Sequence, residues 1–251
     1  MAEIGNMSWL DFEEKARQTE VGLVPVGAVE VYGPHLPQGT DGIVALALCQ
    51  RVADRIGCLV APLVPVGWSE SLASFPGTLS VSPAAVKEYC RGIAESLFRW
   101  GIDKVLFVNG HLGNVPSLDQ LCLELEQPQA GRRLAQVDIW RFVQPFSAEL
   151  LDSEQWKFGH AGEAMTAVML HLHPDLVDMR RATRAEPASP SDPLGLSRPY
   201  RYRDFAPEGL LGDATLATTE KGRLIFERTV DALLQFINSP QFAGTPAGVR
   251  R

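Results

Sequence analysis

Short apolar runs alternate with longer amphipathic segments along most of this 251-residue chain, and this alternation restricts the fold more than any other feature. Buried strands are predicted at 22–29, 58–67, 104–110 and 134–143. Helices are predicted at 8–18, 42–56, 83–100, 117–125 and 218–238. Such an order favours a three-layer α/β/α sandwich, with a mostly parallel central sheet covered by helices on both faces. We therefore expect one domain over 1–251.

Composition and charge argue against several classes of protein. No run approaches the ~20 apolar residues of a membrane span, and the acidic N-terminal segment does not fit a secretory signal. A cytoplasmic protein without a membrane partner is expected. The net charge of -7 argues against nucleic acid as a partner. No C-x-x-C pair occurs, so the four cysteines are interpreted as small buried residues.

Side chains that can bind metals lie directly after predicted strands or just before a helical segment. They are Glu30, His35 and Asp41 after the first strand, His111 after the third, and His160 and Glu163 before a predicted helix. Parallel strands end at one edge of the sheet, where ligands collect, so we expect these side chains to meet in one cleft. Gly159 and Gly162 predict tight turns around His160.

Carboxylates and imidazoles around one cleft suit Zn(II), Mn(II) or Fe(II). Such an ion lowers the pKa of bound water to ~7 and so provides hydroxide at neutral pH. The residues alone leave a second interpretation open. In it, Asp41 caps the following helix, Glu30 is a surface charge and His111 is a hydrogen-bonded loop histidine.

Several segments resemble the creatininase family. PVGAVEVYGPHLPQGTD is similar to the signature E-Q-H-G-P-H-L-P-x-x-T-D, VNGHLGN to N-G-H-G-G-N, and GHAGEAMTAVML to H-A-G-E-A-E-T-S-x-M-L. FPGTLSV (75–81) and LATTEKGRLI (216–225) resemble further family stretches. Because the similarities follow the family order over nearly the whole chain, the chain is identified as a divergent member.

The resemblance implies a homo-oligomeric amidohydrolase, often a hexamer, with two metal ions bridged by an aspartate. Asp41 would be the bridge, and Glu30 and His111 would complete the first metal site. Glu163 would serve the second site. His160 would protonate the leaving nitrogen or steady the tetrahedral intermediate, and such help is typically worth about 10²–10⁴ in rate.

Three positions depart from the family pattern. Tyr32 stands where the family has a metal-binding histidine, and a phenol with a pKa of about 10 is a poor ligand at neutral pH. Met165 replaces a glutamate, and Ser71 replaces a histidine found in many relatives. We expect one ion at the first site. The alternatives for the second site are a weak site, a site that uses His35, and no site.

Aromatic and histidine residues near these motifs have two interpretations each. Tyr32, Trp68 and Trp156 are candidates for the substrate pocket, although a tryptophan is as often core filler. His171 and His173 form an H-x-H pair but follow the helix that begins near Glu163, so a surface or structural role is predicted. The Pro-, Ser- and Arg-rich segment 182–205 is predicted to be a long loop or arm.

The expected function is hydrolysis of a small polar substrate at a C–N bond, in a cyclic amide or a formamide. Metal-bound hydroxide would attack the carbonyl carbon, and His160 would assist departure of the nitrogen. The specific alternative, which also comes from the family resemblance, is ring-opening hydrolysis of a diketo-inositol. An alternative from another class is a catalytically inactive scaffold paralogue. Nucleotide binding is not expected, since neither G-x-G-x-x-G nor a P-loop lysine follows a strand.

Overall fold

The computed structural model describes residues 2–185 and 201–244. Its central sheet has four parallel strands in the order β2-β1-β3-β4. Their bounds are β1 Val21–Val26, β2 Leu59–Val60, β3 Lys104–Asn109 and β4 Arg133–Asp138. Val26 lies opposite Asn109, which lies opposite Asp138, so three strands end level with one another. A separate antiparallel pair joins β5 Arg184–Ala185 to β6 Gly212–Asp213.

Helices follow the strands and carry the start signals present in the sequence. Ser8, Ser82 and Thr218 cap three of them through their side chains. The longer helices are α1 Trp9–Ala16, α2 Thr40–Ile56, α3 Pro83–Phe98, α4 Val115–Leu125, α7 Glu163–Leu172 and α9 Thr219–Ile237. The helices of a single turn are α5 Ile139–Phe142, α6 Gln144–Ser147, α8 Tyr202–Phe205 and α10 Pro240–Ala243.

The two faces of the sheet bury separate hydrophobic cores. Leu23 and Leu106 point to one face, where they pack in a cluster with residues of α2, α7 and α9. Val24 and Phe107, one residue further along each strand, point to the other face and pack with α3 and α4. This alternation is that of a pleated strand. The predicted three-layer α/β/α architecture with a parallel sheet is confirmed.

Two predicted strands are shorter than expected. Of the segment 58–67, only Leu59–Val60 forms a strand, and Pro62 and Pro65 interrupt it because they have no N–H for the ladder. The strand predicted at 134–143 ends at Asp138. There the Asp138 side chain accepts a hydrogen bond from the Trp140 N–H, which starts α5 instead of continuing the strand.

The cysteine prediction is confirmed: Cys49, Cys58 and Cys90 are buried, Cys122 is half-buried, and all four are free thiols. The central part of the predicted arm, 186–200, lies outside the described residues. The C-terminal end of the predicted arm forms α8. The Tyr202 ring in this helix packs on His160, with ring centroids 5.3 Å apart. In the ranges described, no helix has both the length and the apolar character that a membrane crossing requires.

Candidate metal centre

The loops that leave β1 and β3 meet at the carboxyl end of the sheet. Glu30 lies in the loop after β1, Asp41 in the first turn of α2, and His111 directly beyond β3. A glycine makes this approach possible. A Cβ on Gly110 would lie 2.5 Å from the Asp41 carbonyl oxygen, so a larger residue would push the two loops apart.

Glu30, Asp41 and His111 form a compact buried group. One oxygen or ring nitrogen of each lies within 4.8 Å of the others, and the three side chains are at most 7% exposed. The His111 Nδ1 atom lies 3.2 Å from Glu30 Oε2 and 3.4 Å from Asp41 Oδ2. The second interpretation of the sequence required Glu30 to be a surface charge. The burial of its side chain contradicts that interpretation.

Hydrogen bonds orient the His111 ring. Its Nε2–H donates to the Trp68 carbonyl at 2.8 Å, and its backbone N–H donates to Asn109 Oδ1 at 3.1 Å. The Asn109 amide in turn donates to the His111 carbonyl at 2.8 Å. A carbonyl partner on one ring nitrogen leaves the other nitrogen for a metal, which is the usual arrangement around metal-binding histidines. Here Nδ1 is that atom, and it faces both carboxylates.

The carboxylates have further neutral donors around them. Ser69 Oγ donates to Glu30 Oε2 at 2.5 Å. The Tyr32 hydroxyl donates to Asp41 Oδ1, and Trp140 Nε1 lies 3.4 Å from the same oxygen. Asp41 Oδ2 is buried and accepts no hydrogen bond from any residue that the structure describes. The sequence prediction did not include Ser69 or Trp140. Trp140 follows β4, so the strand-end rule that found His111 also applies to it.

Burial and close charges shift the pKa values of this group. Burial alone would lower the pKa of His111, but the Asp41 and Glu30 carboxylates outweigh it and raise that pKa well above its usual value. Burial raises the pKa of Asp41. Burial acts in the same direction on Glu30, yet His111 and His160 hold the pKa of this carboxyl below its usual value. Burial, followed by Asp41, raises the pKa of the Tyr32 phenol well above 10.

His160 lies at the edge of the group. Its Nε2–H donates to the Val31 carbonyl at 2.6 Å, and its Nδ1 lies 3.9 Å from Glu30 Oε1. The side chain is 16% exposed, more than those of Glu30, Asp41 and His111. The tight turns predicted around it are present: the Gly159 N–H donates to the Trp156 carbonyl at 2.7 Å, and the Gly162 N–H donates to the Gly159 carbonyl at 2.9 Å.

Glu163, expected from the family resemblance to serve a second metal site, has other partners in this structure. Glu163 is fully buried but outside the group, and it forms an ion pair with Lys221. Its two oxygens also accept the backbone N–H of Asp152 at 3.1 Å and of Ser153 at 2.8 Å. Through these bonds the carboxylate joins α7, α9 and the 152–153 loop.

His35, the alternative ligand, also lies outside the group of three. Its Nε2 is 2.8 Å from the Thr166 hydroxyl on α7, and burial lowers its pKa to about 4. The ring is therefore neutral at physiological pH and joins the 31–41 loop to α7. His171 and His173 lie at the opposite end of α7 from Glu163, as their structural interpretation predicted.

The three residues expected at the substrate pocket occupy different positions. Tyr32 is buried at 1% exposure, and its ring packs against His160 with centroids 4.3 Å apart. Trp68 is 39% exposed beside the group, where its carbonyl holds His111. Trp156 is half-buried and packs against an apolar cluster that includes Val31 and Tyr202. The Tyr32 side chain contacts the buried group through its hydroxyl, which donates to Asp41.

The donor set fits a divalent cation. Two buried carboxylates and an imidazole nitrogen converge, and one carboxylate oxygen, Asp41 Oδ2, lacks a hydrogen-bond partner among the described residues. Buried oxygens of this kind normally have a partner. Nitrogen and oxygen ligands in this ratio suit zinc, manganese or iron.

Comparison with known proteins agrees with this geometry. The family model Creatininase, described as creatinine amidohydrolase, matches residues 5–237. The chain belongs to the creatininase family. It is thus a metal-dependent amidohydrolase, with Glu30, Asp41 and His111 as its candidate metal site.

Curated relatives differ in the reaction that their names describe. The chain is 31% identical to the creatinine amidohydrolase of Pseudomonas putida, over 93% of this chain and 95% of that one. It is 33% identical to the mycofactocin precursor peptide peptidase of Mycobacterium ulcerans, over 83% and 81%. It is 24% identical to the 3-dehydro-scyllo-inosose hydrolase of Thermotoga maritima, over 92% and 79%. The substrate therefore varies among proteins similar to this one.

Solved creatininase structures match the fold closely. One crystal structure has a TM-score of 0.81 at 30% identity and covers 97% of this chain and 99% of its own. A variant of the Zn-Zn type has a TM-score of 0.81 at 31% identity, covering 96% and 98%. A manganese creatininase has a TM-score of 0.80 at 30% identity, covering 96% and 98%. A divalent metal is thus the cofactor that agrees with both the fold and the site.

Proposed function

We propose that this creatininase-family enzyme hydrolyses the C–N bond of a small polar amide, with a cyclic amide or a formamide as the first substrate class. The observation that carries the proposal is the convergence of Glu30, Asp41 and His111, with His160 Nδ1 at 3.9 Å from the nearer carboxylate. Ligands for an ion and a group for proton transfer thus lie side by side.

Glu30 and Asp41 would hold the ion through their carboxylates, and His111 through the Nδ1 atom that faces both of them. A divalent ion held there supplies an activated water, with a pKa lowered to about 7, and a positive charge for the developing oxyanion. The surrounding side chains keep the ligands in place. Ser69 restrains Glu30 by its hydrogen bond, and the Trp68 carbonyl sets the tautomer of His111.

His160 would move the proton. Because its Nε2–H is committed to the Val31 carbonyl, its Nδ1 carries the lone pair and faces the site. This nitrogen would accept a proton from the attacking water and then deliver it to the departing nitrogen, as a general base and then a general acid. The Tyr32 ring, packed against the imidazole, restricts its rotation.

Limited access supports a small substrate. Glu30 and Asp41 are each 1% exposed as side chains, and His111 is 7% exposed. The apolar cluster with Val31, Phe75 and Tyr202 packs beside the group, so a substrate would reach it with little more than its reacting end. This favours a compact molecule over a chain bound along its length.

A second candidate is the end of a short peptide. The observation in its favour is the 33% identity to a precursor peptide peptidase over 83% of this chain. The bond is again an amide, so the same residues would have the same roles. Ring opening of a diketo-inositol has weaker support, at 24% identity to a named inosose hydrolase.

The test is turnover by the chain reconstituted with Zn(II) or Mn(II), on creatinine, other cyclic amides, formamides, short peptides and a cyclic diketo sugar. We expect product from the cyclic amides or formamides. His160→Asn should lower kcat about 10²- to 10⁴-fold with the bound metal unchanged. His173→Asn, an exposed change at the far end of α7, is the matched control and should keep full activity.

Turnover of the sugar alone would replace the amide proposal with ring opening. If the metal-loaded chain hydrolysed none of the C–N substrates, the amide proposal would be rejected. The proposal also includes a cytoplasmic location and assembly as a homo-oligomer, a hexamer in the first instance, from the family resemblance. Light scattering coupled to size-exclusion chromatography measures that assembly directly.

A further inference from the structure

The two carboxylate oxygens of Asp41 have different surroundings. Oδ2 faces His111 Nδ1 at 3.4 Å and has no hydrogen-bond partner among the described residues. Oδ1 accepts the Tyr32 hydroxyl and has Trp140 Nε1 at 3.4 Å. One oxygen is thus ready for an ion, while two donors occupy the other. A second ion that shared Asp41 with the first, with one carboxylate oxygen bound to each ion, would need the occupied oxygen.

The other groups that would hold a second ion lie outside the group of three, although His35 Nδ1 is buried and has no hydrogen-bond partner among the described residues. Glu163 is bound by Lys221 and by two backbone N–H groups, and the His35 Nε2 atom is bound to Thr166. Within 2–185 and 201–244, Glu30, Asp41 and His111 are the one cluster of His, Cys, Asp and Glu close enough to hold a metal. In the described part of the chain, no second group of three such side chains therefore lies beside Asp41.

Tyr32 is buried and contacts both Asp41 and His160. Its side chain is 1% exposed, and its ring lies between Asp41, which its hydroxyl contacts, and His160, against which it packs. A phenol placed in this way donates a hydrogen bond without adding charge. It holds Asp41 in one orientation, so that the carboxylate presents Oδ2 alone.

We propose that Tyr32 takes the place of a second metal ion beside Asp41, so that this chain has a mononuclear centre in which Tyr32 is a positioning residue. The relative of the Zn-Zn type shows that the same fold also occurs in a two-zinc form. The inference rests on the proposed metal site. Its consequence is that Glu30, Asp41 and His111 supply all the protein ligands of the one ion.

The test measures metal binding without any substrate. Wild-type chain is saturated with Zn(II) or Mn(II), freed of excess metal, and measured by elemental analysis. We expect one ion per chain. Tyr32→Phe keeps the ring against His160 and removes the hydroxyl alone, and Tyr89→Phe makes the same change on the exposed face of α3. In competition with a coloured chelator, Tyr32→Phe should bind the metal about 10- to 100-fold more weakly, and Tyr89→Phe as wild type.

Two results would overturn the inference: two ions per wild-type chain, or equal metal affinity in Tyr32→Phe and Tyr89→Phe. If Tyr32→Phe does not fold, the wild-type stoichiometry still decides between one ion and two. The readout is also separate from the proposed reaction. Two ions with amide turnover would reject the mononuclear centre alone, whereas one ion without turnover would reject the proposed reaction alone.

Discussion

Replacing Lys221 with methionine tests the structural role that the fold gives to Glu163. Glu163 is fully buried, and Lys221 pairs with it while also donating to Asp152 at 2.7 Å and to the Leu216 carbonyl at 2.9 Å. Lys221→Met preserves most of the side-chain volume but removes the charge. A buried carboxylate would then keep its two backbone donors and lose its cation.

The expected loss of unfolding free energy in Lys221→Met depends on how deeply the ion pair is buried. Breaking a fully buried ion pair by removing one partner costs about 3–5 kcal/mol. Lys221 is 17% exposed and Glu163 retains the N–H groups of Asp152 and Ser153, so we expect a smaller loss. Our value is about 2–4 kcal/mol, which for a chain of this size lowers Tm by roughly 5 to 15 °C.

The assay is urea unfolding of the metal-free chain, followed by circular dichroism. Lys104→Met is the matched control, because Lys104 is 21% exposed but pairs with Glu20, which is 66% exposed. A surface pair of this kind contributes at most about 1 kcal/mol. Adding Glu163→Gln to Lys221→Met should restore much of the loss, since the neutral amide leaves no unpaired charge.

Equal destabilisation by Lys221→Met and Lys104→Met would refute the reasoning. A second refutation is available from elemental analysis. If Glu163→Gln alone lowers the bound metal, Glu163 is a ligand as the family resemblance implied, and the ion pair with Lys221 does not describe the metal-loaded enzyme.

Two further predictions concern burial and close packing. Burial raises the pKa of the Cys58 and Cys90 thiols to about 12, whereas a thiol in an unfolded chain has a pKa of about 8.5. The stability that these buried neutral thiols contribute is therefore present below pH ~8.5 and is lost as the pH rises toward 12. At pH 8 a thiol reagent should therefore modify them only in denaturant, and fast modification of the native chain would contradict this. Gly222→Ala should cost about 3 kcal/mol, because its Cβ would lie 1.8 Å from the Ala167 carbonyl oxygen between α9 and α7. Gly92→Ala in α3, with open space around it, should instead stabilise by up to about 1 kcal/mol, and urea unfolding of both variants compares them.

Much of the fold follows from local pattern. The apolar runs at 22–29 and 104–110 predict β1 and β3, and Ser82 with Pro83 predicts the start of α3. The prediction was wrong where two local signals competed. At 134–143 the apolar residues favour a strand throughout, yet the Asp138 side chain caps a helical turn and ends β4. Whether the chain continues as a strand or turns into a helix here depends on one hydrogen bond, and hydrophobic periodicity does not predict that bond.

For the site, the sequence by itself predicted that six side chains would meet at one edge of the sheet, and three of them, Glu30, Asp41 and His111, form the buried group. The prediction rested on the rule that parallel strands end together, and the structure adds that glycine at 110 allows the loops to touch. Only the tertiary structure decided which partner each polar atom has. Glu163 is 58 residues from Lys221, and Tyr32 reaches the one oxygen of Asp41 that His111 does not face. Hydrogen bonds and ion pairs depend on distances of a few tenths of an ångström between separate elements, and such distances are set by packing.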